Sequence, residues 1–367
     1  TFNSIVVISP NSRDTTINAE PAVGPVPVTI RNVHSGTQTV FAAGFRYHSA
    51  IRIVAVGPTE GPFTGGTRVT IDGIGFDDPV AVTIGGVAAQ PIQVSGTKII
   101  AITSGVTVTG CSDVTGPISV TNISTGASGE SSVEFTYRVP QPIIISATSP
   151  VQPGGTITVR VFGAFGFPRL RLDQRVLSIT SEVDNGDGST TFTAIVPTNV
   201  ELTQQACAGA PGVTAPQPTS FDITYESATT GCTDTMSDGV IVEPLPVARL
   251  AFSPNGFTPF TATFVAGDPG ATPPTSDSIT PSATQTVNIV NSGAALLTVN
   301  SITQSVGCSA FVISHAPTPF DLNPCDLQPI TARYVGPSPP ATGTQSCTLT
   351  VDTNAGTRSL NLVGTTQ

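Results

Sequence analysis

Ile51-Arg52-Ile53-Val54-Ala55-Val56, then Gly57-Pro58-Thr59-Glu60-Gly61-Pro62-Phe63-Thr64-Gly65-Gly66-Thr67, then Arg68-Val69-Thr70-Ile71-Asp72-Gly73 run on without a break. The first and third pieces are strand patterns. In the third, Val69 and Ile71 fall on one face while Arg68, Thr70 and Asp72 fall on the other. The piece between them is punctuation, and its Gly-Gly-Thr end lets the chain reverse at positive φ before the next strand enters a core. Val80-Ala81-Val82-Thr83-Ile84-Gly85-Gly86, Lys98–Thr103, Ile118–Asn122 and the closing Val133-Glu134-Phe135-Thr136-Tyr137 continue the pattern. Strands this short, within about 90 residues, predict a small β-sandwich over residues 50–139.

Composition extends this reading to the whole chain. Among 367 residues there are 36 Gly and 33 Pro, a density that excludes long helices because each interior proline breaks one. A hydrophobic fraction of 38% with a mean hydropathy of +0.20 is too apolar for a disordered chain. The fold class predicted is therefore all-β. Only 10% of residues are charged, with a net charge of −10, and Lys98 is the single lysine. Such a chain lacks the basic footprint of a nucleic-acid binder. No apolar run reaches the roughly 18–20 residues of a membrane-spanning helix, so an integral membrane role is not expected. No signal peptide stands at residue 1, so a secreted protein would be in processed form.

Residues 140–245 repeat the scheme. Pro142-Ile143-Ile144-Ile145 opens, Pro153-Gly154-Gly155-Thr156 is the turn, and Ile157-Thr158-Val159-Arg160-Val161-Phe162-Gly163 the strand after it. The Gly85-Gly86 element has no counterpart, and the loop around 203–217 is longer. Residues 1–49 match only the later half of the unit: Ile5–Ser9 corresponds to Ile99–Thr103, Gly24–Asn32 to Gly116–Asn122, and Phe45-Arg46-Tyr47 to Phe135-Thr136-Tyr137. A half sandwich exposes an apolar face and open strand edges. Missing upstream sequence is the favoured explanation; the other is completion by a second chain. Residues 246–367 form a different unit, opened by Leu250-Ala251-Phe252-Ser253-Pro254 and interrupted by a Pro/Thr/Ser-rich loop over 267–282.

The Gly65-Gly66-Thr67 turn, Gly73, Gly75-Phe76, Gly85-Gly86-Val87-Ala88-Ala89 and Phe135-Thr136-Tyr137 resemble an IPT/TIG domain. That resemblance implies an immunoglobulin-like sandwich of the kind found in cell-surface and secreted proteins, with residues 140–245 a divergent copy. In the last segment, Asn291-Ser292-Gly293 followed by Leu297-Thr298-Val299 resembles the ASH or choice-of-anchor immunoglobulin-like modules of bacterial surface proteins. Cys347-Thr348-Leu349-Thr350-Val351 and Thr353-Asn354-Ala355-Gly356 add to that likeness. The organisation expected is thus tandem immunoglobulin-like β-sandwiches over 1–49, 50–139, 140–245 and 246–367.

The six cysteines are Cys111, Cys207, Cys232, Cys308, Cys325 and Cys347. No CxxC occurs, which excludes zinc-ribbon and thioredoxin-like readings. Cys207 and Cys232, alone in their segment and in neighbouring loops, are expected to pair. For the last three, the family resemblance implies Cys308–Cys325, while Cys308–Cys347 follows if their strands are neighbours. Cys111 is left over, buried and free or bonded to another chain, with the buried reading favoured. Paired cysteines in low-charge β domains point to an oxidising compartment.

Little in the sequence suggests chemistry. His34, His48 and His315 lie in a turn, a junction and a strand end, with no Ser/His/Asp spacing and no GxSxG. No enzyme activity, cofactor or metal is expected. Asp184-Asn185-Gly186-Asp187-Gly188 is the best oxygen cluster for calcium, but its place between two strand patterns favours a hairpin turn. Phe165 and Phe167, with Arg169 and Arg171 close behind, are a candidate contact patch, although a glycine-kinked core strand is the favoured reading. Lys98 has no evident partner for an isopeptide bond. Asn122-Ile123-Ser124 fits a glycosylation acceptor. These features together predict a structural or adhesive protein at a bacterial cell surface or outside the cell. It would space, anchor or assemble through its sandwiches, as a filament or surface-layer subunit among others. Its partners would be proteins, copies of itself or another surface protein. The alternative is a glycan-binding accessory region of a secreted polysaccharide-active enzyme, disfavoured because the chain has no Trp and its four tyrosines sit within strand patterns.

Overall fold

The computed structural model describes residues 24–271 and 273–367. Among these the only helical element is a single 3-10 turn, Cys308–Ala310; the rest of the regular structure is β. Contacts group the chain into two units. The first holds 1–142, 164–167 and 227–233; the second holds 143–163, 168–226 and 234–367.

In the first unit, strands Gly24–Arg31 and Gln38–Tyr47 form an antiparallel hairpin with a bulge between Val26 and Val28. Its turn is an Asx-type turn, in which the Asn32 carboxamide oxygen accepts the His34 and Ser35 N–H groups. Ile30, Val40 and Phe41 on the hairpin are each about half exposed. The strand expected at 5–9 lies outside the described residues.

The sandwich that follows has a seven-stranded sheet in the order Ser128–Glu130, Ile118–Asn122, Val80–Ile84, Val87–Ser95, Lys98–Ile102, Arg68–Ile74, Arg52–Gly57. Opposite it, Phe135–Arg138 runs antiparallel to Val114–Gly116 and parallel to Glu60–Pro62. The alternation read in Arg68–Ile74 is realised: Val69 and Ile71 are fully buried, with Ile84, Ile99, Ile118, Phe135 and Tyr137 around them. Gly65 and Gly66 both have positive φ, and a Cβ on Gly65 would stand 2.5 Å from the Ser104 carbonyl carbon. That crowding is why the turn is glycine.

In the second unit, one four-stranded sheet orders Ile143–Ala147, Thr156–Phe162, Ser189–Ile195, Ser178–Asp184. A second orders Arg175–Val176, Pro168–Leu172, Thr219–Ser227, Cys232–Val242. The long 203–217 loop proves to be a small hairpin, Gln204–Ala206 with Thr214–Pro216. The C-terminal strands form sheets of four and six, with Phe260–Val265 parallel to Gly356–Thr366. Their core joins Phe260, Phe311, Tyr334, Leu349, Val351 and Leu362. Strands Gly343–Thr353 and Gly356–Thr366 pair along their whole length across the Asn354-Ala355 turn.

Outward-facing hydroxyls on this hairpin bond in ladders. Thr348 donates to Asn361, Thr357 donates to Asp352, and the Thr344 and Thr365 hydroxyls pair. Cross-strand hydroxyl pairs stabilise a solvated face without charge, which is how so few charged residues suffice.

Candidate functional site

All six cysteines are bonded, and two of the three bonds differ from expectation. Cys111 pairs with Cys232, Cys207 with Cys325 and Cys308 with Cys347. The Cys207–Cys232 pairing is overturned because Cys207 follows strand Gln204–Ala206 into a small core against which Cys325 packs, whereas Cys232 opens strand Cys232–Val242 and bonds Cys111. Cys308–Cys325 is overturned as well. Cys308 opens the 3-10 turn inside the C-terminal core beside Cys347, whereas Cys325 sits at φ 65 in the turn after Phe320–Leu322. Cys111 is neither free nor bonded to another chain.

The hairpin 204–216 shows why Cys207 reaches Cys325. Cys207, Ala210, Val213 and Ala215 form a small apolar core with Val290, and Ala251, Cys325 and Leu327 pack against it. The Ser253 hydroxyl donates to the Pro211 carbonyl at 2.9 Å, and the Asn288 amide to the Gly209 carbonyl. The longer loop is therefore the second sandwich's docking element on the C-terminal one. Beside this joint lies an open cleft of about 570 Å³, lined by Pro153, Val200, Leu202, Pro216, Leu245 and Arg249 among others.

Two residues after Cys111 the chain is clamped at Asp113. The Arg138 guanidinium donates to Glu60 through two nitrogens and to Asp113 at 2.7 Å, and the other Asp113 oxygen accepts the Val139 N–H at 2.8 Å. The Val139 N–H, then the Arg138 guanidinium, hold the Asp113 carboxyl below its usual range. A depressed folded-state value means stability that is present above the unfolded carboxylate pKa and lost as pH falls through the folded one. Asp113→Asn is accordingly expected to lower the urea midpoint at neutral pH, with variant and wild type converging in acid. Parallel curves across pH would contradict this.

The candidate contact patch divides. Phe165 packs against the first sandwich's core, edge-on to Phe63 at 5.7 Å, so it is a packing residue. Phe167 is 79% exposed. Arg169 and Arg171 converge on the Glu226 carboxylate at 3.6 and 3.1 Å rather than presenting free charge. Asp184–Gly188 is the turn between Ser178–Asp184 and Ser189–Ile195. Asp187 accepts the Ser189 N–H and hydroxyl and pairs with Arg160, so its oxygens are occupied. Among the described residues no group of three or more His, Cys, Asp or Glu could hold a metal. His48 faces Asp77 at 3.9 Å, and His315 contacts the Ala316 carbonyl. Lys98 sits opposite Asp72 across the strand pair at 3.4 Å, both half exposed, as an ordinary surface ion pair.

Asn122 is a structural residue. It is buried; its Nδ2 donates to the Gly75 carbonyl at 2.8 Å and its Oδ1 accepts the Asp77 N–H at 3.0 Å. The amide nitrogen that a glycosyl transfer would need is thus committed. Asn122→Ala is expected to destabilise the first sandwich by about 1–3 kcal/mol by orphaning both partners. Calorimetry that shows no shift in melting would refute it, as would a glycan mass on Asn122 of the folded protein.

The sandwiches and these joints define an all-β protein of tandem immunoglobulin-like architecture. Within it, residues 52–137 match the IPT/TIG domain family. Among curated proteins none matches the chain. Solved structures similar to it include a Porphyromonas gingivalis W83 protein of unknown function (12% identity, TM-score 0.23, 61% of this chain and 96% of that one). The I9-I11 tandem of titin is another (8% identity, TM-score 0.29, 86% and 100%). The plexin A4 extracellular region is a third (11% identity, TM-score 0.22, 85% and 24%), of which the chain spans about a quarter. Three disulfides and a TIG domain fit an extracellular protein. No helix among the described residues is long and apolar enough to cross a membrane.

Proposed function

We propose that this chain is a non-catalytic structural element of a bacterial cell surface, a spacer or anchor that assembles into a filament or surface layer with copies of itself. Residues 246–367 are read as its ASH or choice-of-anchor-like module. The observation that carries this reading is the placement of the cross-links: two of three disulfides each join residues from successive sandwich segments. An adhesive or structural array needs its modules held in order more than it needs a solvated cleft. The half-exposed apolar side chains of the 24–47 hairpin supply an edge to which a neighbouring copy can add a strand.

The test is electron microscopy of the bacterial surface with immunogold labelling, beside light scattering of the purified chain from about 1 to 100 μM. Ordered surface assemblies and concentration-dependent growth are expected. A strict monomer absent from surface assemblies would overturn the assembly reading, and saturable binding to a polysaccharide would favour the glycan-binding alternative.

A further inference from the structure

Two of the disulfide loops overlap in sequence: one closes residues 111–232, the other 207–325, and a third closes 308–347 so that it overlaps the second. Disulfides confined to single sandwiches would sit in series, each shortening the chain independently. Overlapping loops do something else. The shortest covalent route from one end to the other runs 1–111, crosses to 232, travels backwards to 207, and crosses to 325. It then travels backwards to 308, crosses to 347, and ends at 367. About half of the chain lies on that route. Residues 112–206, 233–307 and 326–346 lie off it.

We propose that the three bonds work together as one tension-limiting route. Strands Thr156–Phe162, Pro168–Leu172, Ser178–Asp184 and Ser189–Ile195 all fall in the off-route segment 112–206, whose ends the route holds to within about 90 Å, so force between the chain ends cannot pull that segment taut. The same holds for Leu250–Ser253, Phe260–Val265, Gln285–Asn291 and Leu297–Gln304, which fall in 233–307, a segment of about 270 Å when extended whose ends the route holds to within about 150 Å. The stretches left to extend fully are 1–111, 207–232, 308–325 and 347–367. Each crossing replaces more than a hundred residues of chain, or 39 for the last, by a Cα–Cα span near 5 Å. The inference gains its use from the structural role proposed above, but rests only on connectivity.

Single-molecule stretching of the full chain, held by its two ends, tests it. At about 3.5 Å per extended residue, the oxidised chain should reach a contour length of about 600 Å, and the fully reduced chain about 1,300 Å. Single bonds removed as paired Cys→Ser variants should release unequal amounts. Removing Cys207–Cys325 adds about 115 Å, not the roughly 400 Å of an isolated loop of that size. Removing Cys111–Cys232 adds about 245 Å, and removing Cys308–Cys347 only about 13 Å. An oxidised chain that extends beyond about 1,000 Å, or a Cys207–Cys325 increment near 400 Å, would overturn the proposal. Reduction of the wild-type chain while it is already tethered gives the same total without relying on any variant to fold. A surface assembly that fails to form would sink the functional reading and leave these lengths unchanged.

Discussion

Denatured and reduced, then oxidised in air without a thiol shuffle, the chain is expected to trap Cys207–Cys232 and Cys308–Cys325 in place of the native bonds. Native Cys207–Cys325 closes a separation of 118 residues and Cys111–Cys232 one of 121, whereas Cys207 and Cys232 are about 25 apart. Loop-closure entropy grows as three-halves RT ln n, so the short loop is favoured in the unfolded chain by about 1.4 kcal/mol, roughly tenfold. Only after the hairpin 204–216 has docked through Ala210, Val213 and Val290 is Cys207 brought to Cys325. Peptide mapping of the non-reduced product is the measurement. The short pairs should dominate in air, and the native set should return when reduced and oxidised glutathione, or a disulfide isomerase, allow exchange. Native pairing in air as efficient as with exchange would mean that the sandwiches dock before any sulfur reacts.

The second large effect is expected at Asn291. Its side chain is fully buried and makes four hydrogen bonds. Oδ1 accepts the Gly293 N–H at 2.9 Å and the Arg249 N–H at 3.4 Å, while Nδ2 donates to the Ala295 and Leu322 carbonyls at 2.7 and 2.9 Å. Its own carbonyl accepts the Cys325 N–H at 2.8 Å. Asn291→Ala strands four backbone groups in the interior, so a loss of about 3–5 kcal/mol is expected from equilibrium urea unfolding. Asn291→Asp should be at least as damaging, because a carboxylate would then face two carbonyl oxygens. Ser292→Ala, one residue along on a partly exposed hydroxyl, should change stability by less than about 1 kcal/mol. A mild Asn291→Ala would show that the Asn-Ser-Gly turn is held by the chain around it rather than by this amide.

The sandwich strands were legible because their signal is local. Arg68–Ile74, Lys98–Ile102, Ile118–Asn122 and Phe135–Arg138 alternate at period two, and the glycines at 65 and 66 mark a reversal that only they permit. Asn291 was legible only in part: Asn-Ser-Gly drew attention as a likeness, but its four partners come from Arg249, Gly293, Ala295 and Leu322. The partners of Phe165 and Arg171 were hidden for the same reason. A side chain's neighbours along the chain do not reveal Phe63 or Glu226, which the fold sets beside them.

By itself, the stretch from Ile51 to Gly73 determined that this protein is built of small β-sandwiches, and the prolines and glycines determined that the rest of the chain is too. Period-two burial and positive φ are properties of a residue and its immediate neighbours, so they survive in the sequence. What only the tertiary structure decided is how the sulfurs join. A disulfide needs two Cα atoms about 5 Å apart, a condition on the folded chain to which separation along the sequence is blind. Cysteines that look like local staples turned out to be bonded across separations of 118 and 121 residues.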